Sequence, residues 1–285
     1  MPELPEVEVV RQGLEPHVVG KSFRDIDVRH PRAIRGVDGG AGQLIAALAG
    51  QNVQQVRRRG KFLWLELGNS TPDQPCVVVH LGMSGQMLIK DVDAQPTTHA
   101  RICTTLDDAT QLWFVDQRTF GYWLPTTLVD AGAGVVPRTI THIARDLLDP
   151  ELDMDKLSRQ ISAKNSEIKK LLLNQEIVAG IGNIYADEML WVAQIHPRTP
   201  GSNLSKKKIT LLLQAGQAVM RAALEQGGTS FDELYVNVNG ESGYFDVRLN
   251  AYGQHNKPCD RCGTELVKEK FTNRSSHFCP QCQRL

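Results

Sequence analysis

The chain has 285 residues, of which 41% are hydrophobic and 22% charged, with a formal net charge of +0; that length suits two domains plus an accessory module, by a prior of ~100 to 200 residues per domain. No apolar run approaches the ~18 residues a membrane span requires, and residues 1–6 carry two acids and two prolines where a secretory signal needs a basic start and an apolar core. A membrane or secreted protein is therefore not expected and a cytoplasmic one is; affinity for a polyanion would have to come from where basic residues cluster, since their total is cancelled.

Leu4, Val7, Val10 and Leu14 share one face at helical spacing, Pro5 suits a first turn, and Glu3, Glu6 and Glu8 favour the positive end of the helix dipole, so residues 4–15 are expected to be a helix. From about Phe23 to Leu124 the pattern changes to period two or short apolar runs punctuated by Gly, Pro, Asp and Asn, which predicts a β-sandwich. Asp107 to Thr110 joins two of these runs at hairpin length. Cys76 and Cys103 lie in apolar stretches and read as core thiols. Residues 131–150, rich in Gly, Pro and Asp, read as a linker. Beyond it the period is helical: Ile168, Leu171 and Leu172 share a face, residues 179–183 break it, and residues 184–193 resume it. A longer helix follows with Ser205 as N-cap, closed by Gly227 and Gly228. Residues 228–244 show no period, and at more than ~12 to 15 residues such a loop is a lid or binding loop unless it is disordered.

Cys259 and Cys262, then Cys279 and Cys282, form two C-x2-C knuckles at zinc-ribbon spacing. Four thiolates saturate a tetrahedral ion, so the expected zinc is single and structural, and His255 and His277 are surplus as ligands. The segment between the knuckles alternates like a hairpin, with residues 272–275 as its tip and Arg274 on it. A module this small depends on the metal for stability.

Pro2, read by composition alone, is a helix-start residue. Loss of Met1 would give it a second role, because the exposed secondary amine, with an α-amino pKa of ~7.7 to 8, is partly unprotonated at neutral pH and attacks electrophilic carbon to form an iminium. Glu3 beside it is suited to moving the protons.

The chain resembles the formamidopyrimidine-DNA glycosylase and endonuclease VIII family, most closely its bacterial purine-excising branch. The resemblance rests on motifs in one order along the whole chain: residues 2–8 (PELPEVE), 58–62 (RRGKF), 80–85 (HLGMSG), 116–121 (DQRTFG), 180–186 (GIGNIYA) and the four-cysteine finger. It implies an α+β fold in three parts: an N-terminal helix with a β-sandwich catalytic domain over 2–134, a helix-two-turns-helix DNA-binding domain over 135–252 with a lesion loop at 228–244, and a zinc-finger β-hairpin over 253–285. It further implies Pro2 as the Schiff-base nucleophile, Glu3 as the acid assisting base loss, Glu6 in support, Lys61 as a phosphate contact and proton donor in β-elimination, and Arg274 in δ-elimination. Met83, Arg118 and Phe120 match residues that fill the gap left by an everted base, and His99, Lys164, Asn165 and Asn183 match DNA contacts. In isolation Lys61 is a strand residue extending its ammonium to water, Met83 and Phe120 are core, and Asn183 is equally ordinary helix packing. Two departures stand out: Asp232 and Asn165 occupy positions where relatives often carry a basic residue, although Lys164 adjoins the second.

The function so implied is excision of 8-oxoguanine and formamidopyrimidines from double-stranded DNA by a monomeric glycosylase and abasic-site lyase, with one zinc and a place on the bacterial nucleoid. Two alternatives remain open: an oxidised-pyrimidine glycosylase of the same fold, and a non-catalytic zinc protein that binds damaged DNA.

Overall fold

The computed structural model describes residues 2–132, 134–228, 238 and 249–285. Backbone contacts divide the chain into two compact units, Met1–His142 with Gly227–Phe245, and Ile143–Gln226 with Asp246–Leu285. The expected lesion loop at 228–244, Asp232 included, lies outside the described residues except for Gly228 and Val238.

The first unit opens on helix α1 (Leu4–Val18), started by a reciprocal box in which Glu3 and Glu6 each accept from the other's backbone N–H. The helix runs one turn further than its apolar period predicts, carrying Pro16 within its last turn. Its apolar stripe, Val7, Val10, Leu14 and Val18, joins the core of an antiparallel β-sandwich. One sheet pairs β1 (Phe23–Val28), β6 (Ala100–Leu106), β7 (Gln111–Asp116) and β5 (Gly85–Lys90) in that order. The other pairs β2 (Gln55–Arg59), β3 (Phe62–Glu66), β4 (Pro75–His80), β8 (Tyr122–Asp130) and β9 (Val135–Pro137). Inward residues of both sheets, such as Leu63, Val77, Ile102, Phe114 and Trp123, share one core.

Two elements differ from expectation. Helix α2 (Gly40–Leu48) interrupts the β region; its first turn holds Gly40 and Gly42, which disfavour helix by about 1 kcal/mol each relative to Ala, and it forms because Leu44 and Leu48 are buried in the common core. Strand β9 falls inside the stretch read as linker, pairing Val136 with Val129 of β8. Cys76 and Cys103 are buried as read, and burial pushes their thiols up to about 12 and about 11, which leaves them inert.

The second unit contains α3 (Met154–Ser162), α4 (Ile168–Leu173), α5 (Asn183–Val192) and α6 (Lys206–Glu225), followed by the hairpin β10 (Val267–Phe271) and β11 (Arg274–Phe278). Helix α5 is buried almost all round, from Tyr185 to Trp191. It lies against α6 at Gly216, where a Cβ would stand 2.7 Å from the Met189 methyl. Ser205 caps α6 by accepting from the Lys208 N–H. Taken together the architecture is α+β, and among the described residues no helix is long and apolar enough to cross a membrane.

Candidate functional site

In the first unit the chain start is held rather than frayed. Pro2, Glu3 and Glu6 are all buried, and the Glu3 N–H donates to Glu6 Oε2 at 2.8 Å. Burying two carboxylates at one point is costly unless donors meet them; here the orphan N–H groups at the start of α1 do so, and the helix dipole favours the same charge. Gly228, with φ +97°, comes against Glu6, where a Cβ would lie 3.5 Å from Glu6 Cγ. The pair of acids is thereby closed on a second side.

Lys61 sits in the two-residue turn between β2 and β3, where Gly60 takes φ +56° as that tight hairpin requires. Its side chain is buried rather than extended into solvent, contrary to the reading in isolation. Arg58 secures the turn: its Nε donates to Glu8 of α1 at 2.9 Å and its Nη1 to the Gly60 carbonyl at 3.0 Å. Helix α1, with Glu3 as its N-cap and Glu6 in its first turn, and the turn that carries Lys61 are thus fixed to each other by one guanidinium. Across the sheet from Phe62 stands His80, its ring 4.8 Å from the Phe62 ring and stacked at 5.6 Å on Tyr122. Burial first, then the charges of Lys61 and Arg35, pull the imidazole down to about 4, so it is neutral. Nδ1 accepts the Gly82 N–H at 3.1 Å, which leaves the proton on Nε2. Sequence reasoning passed over His80 although it begins the motif at 80–85; a histidine three residues before a candidate Met was the available signal.

Met83 and Phe120 are not core residues. Met83 is half-buried and Phe120 is 42% exposed, each on a turn at one end of the sandwich, and the Arg118 guanidinium lies 5.4 Å from the Phe120 ring centroid. The two turns touch backbone to backbone, since a Cβ on Gly82 would stand 2.5 Å from Gly121 N. His99 is on the turn before β6, where its carbonyl accepts from Asp116 N at 2.9 Å and its Nδ1 lies 3.3 Å from Arg101 Nη2.

In the second unit Asn183 begins α5, and its Nδ2 donates to the Ser275 carbonyl at 3.0 Å. The same carbonyl takes Lys169 Nζ at 2.9 Å, and Lys169, wholly buried, also reaches Ser276 Oγ at 2.9 Å and Asp187 Oδ1 at 2.6 Å. Asp187 Oδ2 accepts from the His277 backbone N–H at 3.0 Å and faces His277 Nδ1 at the same distance, so the surplus histidine serves a carboxylate. These bonds set β11 against the start of α5 and bring exposed Arg274 next to the residue held by Asn183. Arg274 is the first residue of β11, paired with Phe271, and the tip is the two residues Thr272 and Asn273. Lys164 and Asn165 are exposed on a different turn, after α3, where Asn165 Oδ1 accepts from Ser202 Oγ at 3.2 Å. Glu188, also missed, accepts from the backbone N–H groups of Asn250, Ala251 and Tyr252 and anchors the segment that leads into the finger.

The sulfurs of Cys259, Cys262, Cys279 and Cys282 lie within 4.8 Å of one another, and Cys262 and Cys279 approach to 3.5 Å, too far for a disulfide. That spacing fits four thiolates around one ion at ~2.3 Å from each, and the donor set leaves no open position. A hydrogen bond from the Thr264 hydroxyl draws the Cys262 thiol down to about 6, whereas burial pushes Cys279 up to about 12 and raises Cys282, so a metal has to displace protons there to bind. The finger holds one structural zinc, and its cysteines pack with Trp191, Ala251 and Leu266.

Family models match three segments in this order: the formamidopyrimidine-DNA glycosylase N-terminal domain over residues 1–123, its H2TH domain over 143–233, and the zinc finger found in FPG and IleRS over 256–285. A formamidopyrimidine-DNA glycosylase of Corynebacterium diphtheriae is 61% identical over 99% of each chain, and one of Rhodococcus jostii is 54% identical over 99% of this chain and 96% of its own. Among solved structures, Lactococcus lactis Fpg bound to DNA with an abasic site superposes with a TM-score of 0.84 at 32% identity, covering 99% of this chain and 100% of that one. MutM in complex with DNA containing carbocyclic 8-oxo-G gives 0.83 at 32% identity over 100% of both. With identity at this level from end to end, the chain belongs to the formamidopyrimidine-DNA glycosylase family.

Proposed function

We propose that the chain excises oxidised purines, 8-oxoguanine and formamidopyrimidines, from duplex DNA and then cleaves the strand, with Pro2 as nucleophile. Once Met1 is removed, the Pro2 nitrogen attacks C1′ of the damaged nucleoside; the N–C bond forms as the glycosidic bond breaks, and the base leaves with a proton. Glu3 gives its proton to the departing base, takes up the one that the Pro2 nitrogen sheds after attack and passes it to the ring oxygen, so the sugar opens to an iminium on Pro2. Loss of a C2′ proton then expels the 3′ phosphate, and a second elimination expels the 5′ phosphate. Lys61 serves the first elimination and Arg274 the second. Met83, Arg118 and Phe120 occupy the space the base vacates, a thioether and a ring suiting a wedge and a guanidinium suiting the orphaned partner base. His99, Lys164, Asn165 and Asn183 contact the backbone, where helix-start amides accept phosphate. The enzyme works as a monomer on cytoplasmic, nucleoid DNA, across the three segments 2–134, 135–252 and 253–285.

The observation that carries this reading is the reciprocal Glu3 and Glu6 box, which seats Pro2 in a buried acidic start where an ordinary N-terminus would fray. Borohydride added during turnover should trap the protein covalently on duplex carrying 8-oxoguanine opposite cytosine, with the adduct on Pro2 by peptide mass. Pro2→Gly should trap far less, and a chain that retains Met1 should trap none. Full cleavage by the Met1-bearing form would end the proposal.

A further inference from the structure

Asp116 closes β7 with no exposed surface, and its carboxylate is shared between the two turns that carry Met83, Arg118 and Phe120. Oδ1 accepts from Ser84 Oγ at 2.5 Å and from the Arg118 N–H at 3.2 Å, and Oδ2 accepts from the Gly121 N–H at 2.7 Å. Ser84 Oγ in turn accepts the Arg118 N–H at 3.1 Å. On the outer side, Arg35 donates to the carbonyls of Phe120 and Gly121 at 2.8 and 2.9 Å while lying 4.6 Å from the Tyr122 ring centroid. Asp116's own carbonyl receives Arg101 Nε at 2.6 Å, which brings the His99 turn to the same residue.

A buried carboxylate is tolerated where fixed donors replace water, and here the donors are the two turns themselves. Asn could keep the Gly121 N–H but would turn its amide nitrogen on the Arg118 N–H, and a Ser hydroxyl would reach one turn only. The residues it holds are the outward ones, with Thr119 between them in the left-handed region at φ +54°, a conformation that persists only where neighbouring contacts dictate it.

We propose that Asp116 is a positioning residue for base eversion: through Ser84 and the Arg118 and Gly121 amides it fastens the Met83 turn to the Arg118–Phe120 turn, so the three side chains enter the duplex as one preformed wedge. The inference rests on the gap-filling reading of those three residues. Unstacking a base is uphill, and a wedge already ordered does not spend binding energy on ordering itself.

The experiment follows eversion directly, with 2-aminopurine next to 8-oxoguanine in a stopped-flow fluorimeter, beside single-turnover excision and cleavage of a preformed abasic site. Ser84→Ala and Asp116→Asn should both slow the fluorescence rise and excision, by roughly 10-fold or more for loss of a buried hydrogen bond to a charged group, while abasic-site cleavage by Ser84→Ala stays close to wild type. Circular dichroism establishes that each variant is folded; if Asp116→Asn is not, Ser84→Ala alone decides. Wild-type eversion by folded Ser84→Ala, with Phe120→Ala and Met83→Ala slow, overturns the role of Asp116 and leaves the wedge standing. Wild-type eversion by Phe120→Ala and Met83→Ala overturns both.

Discussion

His80 shows how a single residue ties stability to pH. Its unfolded imidazole titrates near 6.5, whereas in the fold it is held at about 4 by burial and by the nearby charges of Lys61 and Arg35. A depressed pKa on a base means that the unfolded chain takes up its proton first; stability is unaffected above about 6.5 and declines as pH falls toward 4, by as much as about 3 kcal/mol from this group alone. Urea midpoints of the wild type and His80→Asn should therefore converge between pH 7 and pH 4.5, with the wild type losing more. Parallel curves would show that the imidazole is not desolvated. His80 and Asp116 each open a motif that names their neighbours but not their own role, whereas Lys169 and Asp187 were illegible: a polar residue inside a helix has no period to betray it, and its partners lie up to 107 positions away, as Lys169 and Ser276 do. The four cysteines were legible because two C-x2-C pairs at zinc-ribbon spacing write the donor set into the sequence.

Helices and strands were read where burial repeats. The stripe of α1 and the cap of α6 follow directly from spacing and from Ser205, and the β6–β7 turn falls at residues 107–110 as its composition indicates. Helix α2 gives little signal in the sequence because its two early glycines conceal the helical pattern and only Leu44 and Leu48 face inward. Alternation between the knuckles predicts the finger hairpin with a tip at 272–275, whereas the turn is only Thr272 and Asn273, since Phe271 and Arg274 form the last pair of the ladder. That hairpin has five-residue strands, too little to stand alone in water. Lys169, Asn183 and Arg198 hold its backbone, yet each bond presupposes an ordered β11 or β10. Stripping zinc with a chelator should accordingly remove hydrogen-exchange protection from residues 267–278 while α5 and α6 keep theirs, and should abolish DNA binding. Retained protection in the hairpin would assign its stability to the helix contacts instead.

At the scale of the molecule the cationic and anionic side chains cancel, 32 against 32, so no net charge draws the chain to DNA. Attraction must arise locally, from cations set against phosphates one by one. Lys164, which the proposed function sets on the backbone, and Lys61 and Arg274, which it sets where the phosphates depart, are three such groups; if each releases about one counterion on contact, the slope is about −2.7 in log affinity against log salt. Raising salt from about 50 to about 200 mM should thus weaken binding to an abasic-site duplex by roughly 40-fold. In the proposed function the uncharged helix-start amides and Asn183 would add affinity without adding slope. Arg274→Ala should reduce the slope by about one unit, whereas Phe120→Ala, which removes no charge, should lower affinity at every salt concentration in parallel. Fluorescence anisotropy across a salt series separates the two, and an Arg274→Ala line parallel to wild type would remove that residue from the phosphate contacts.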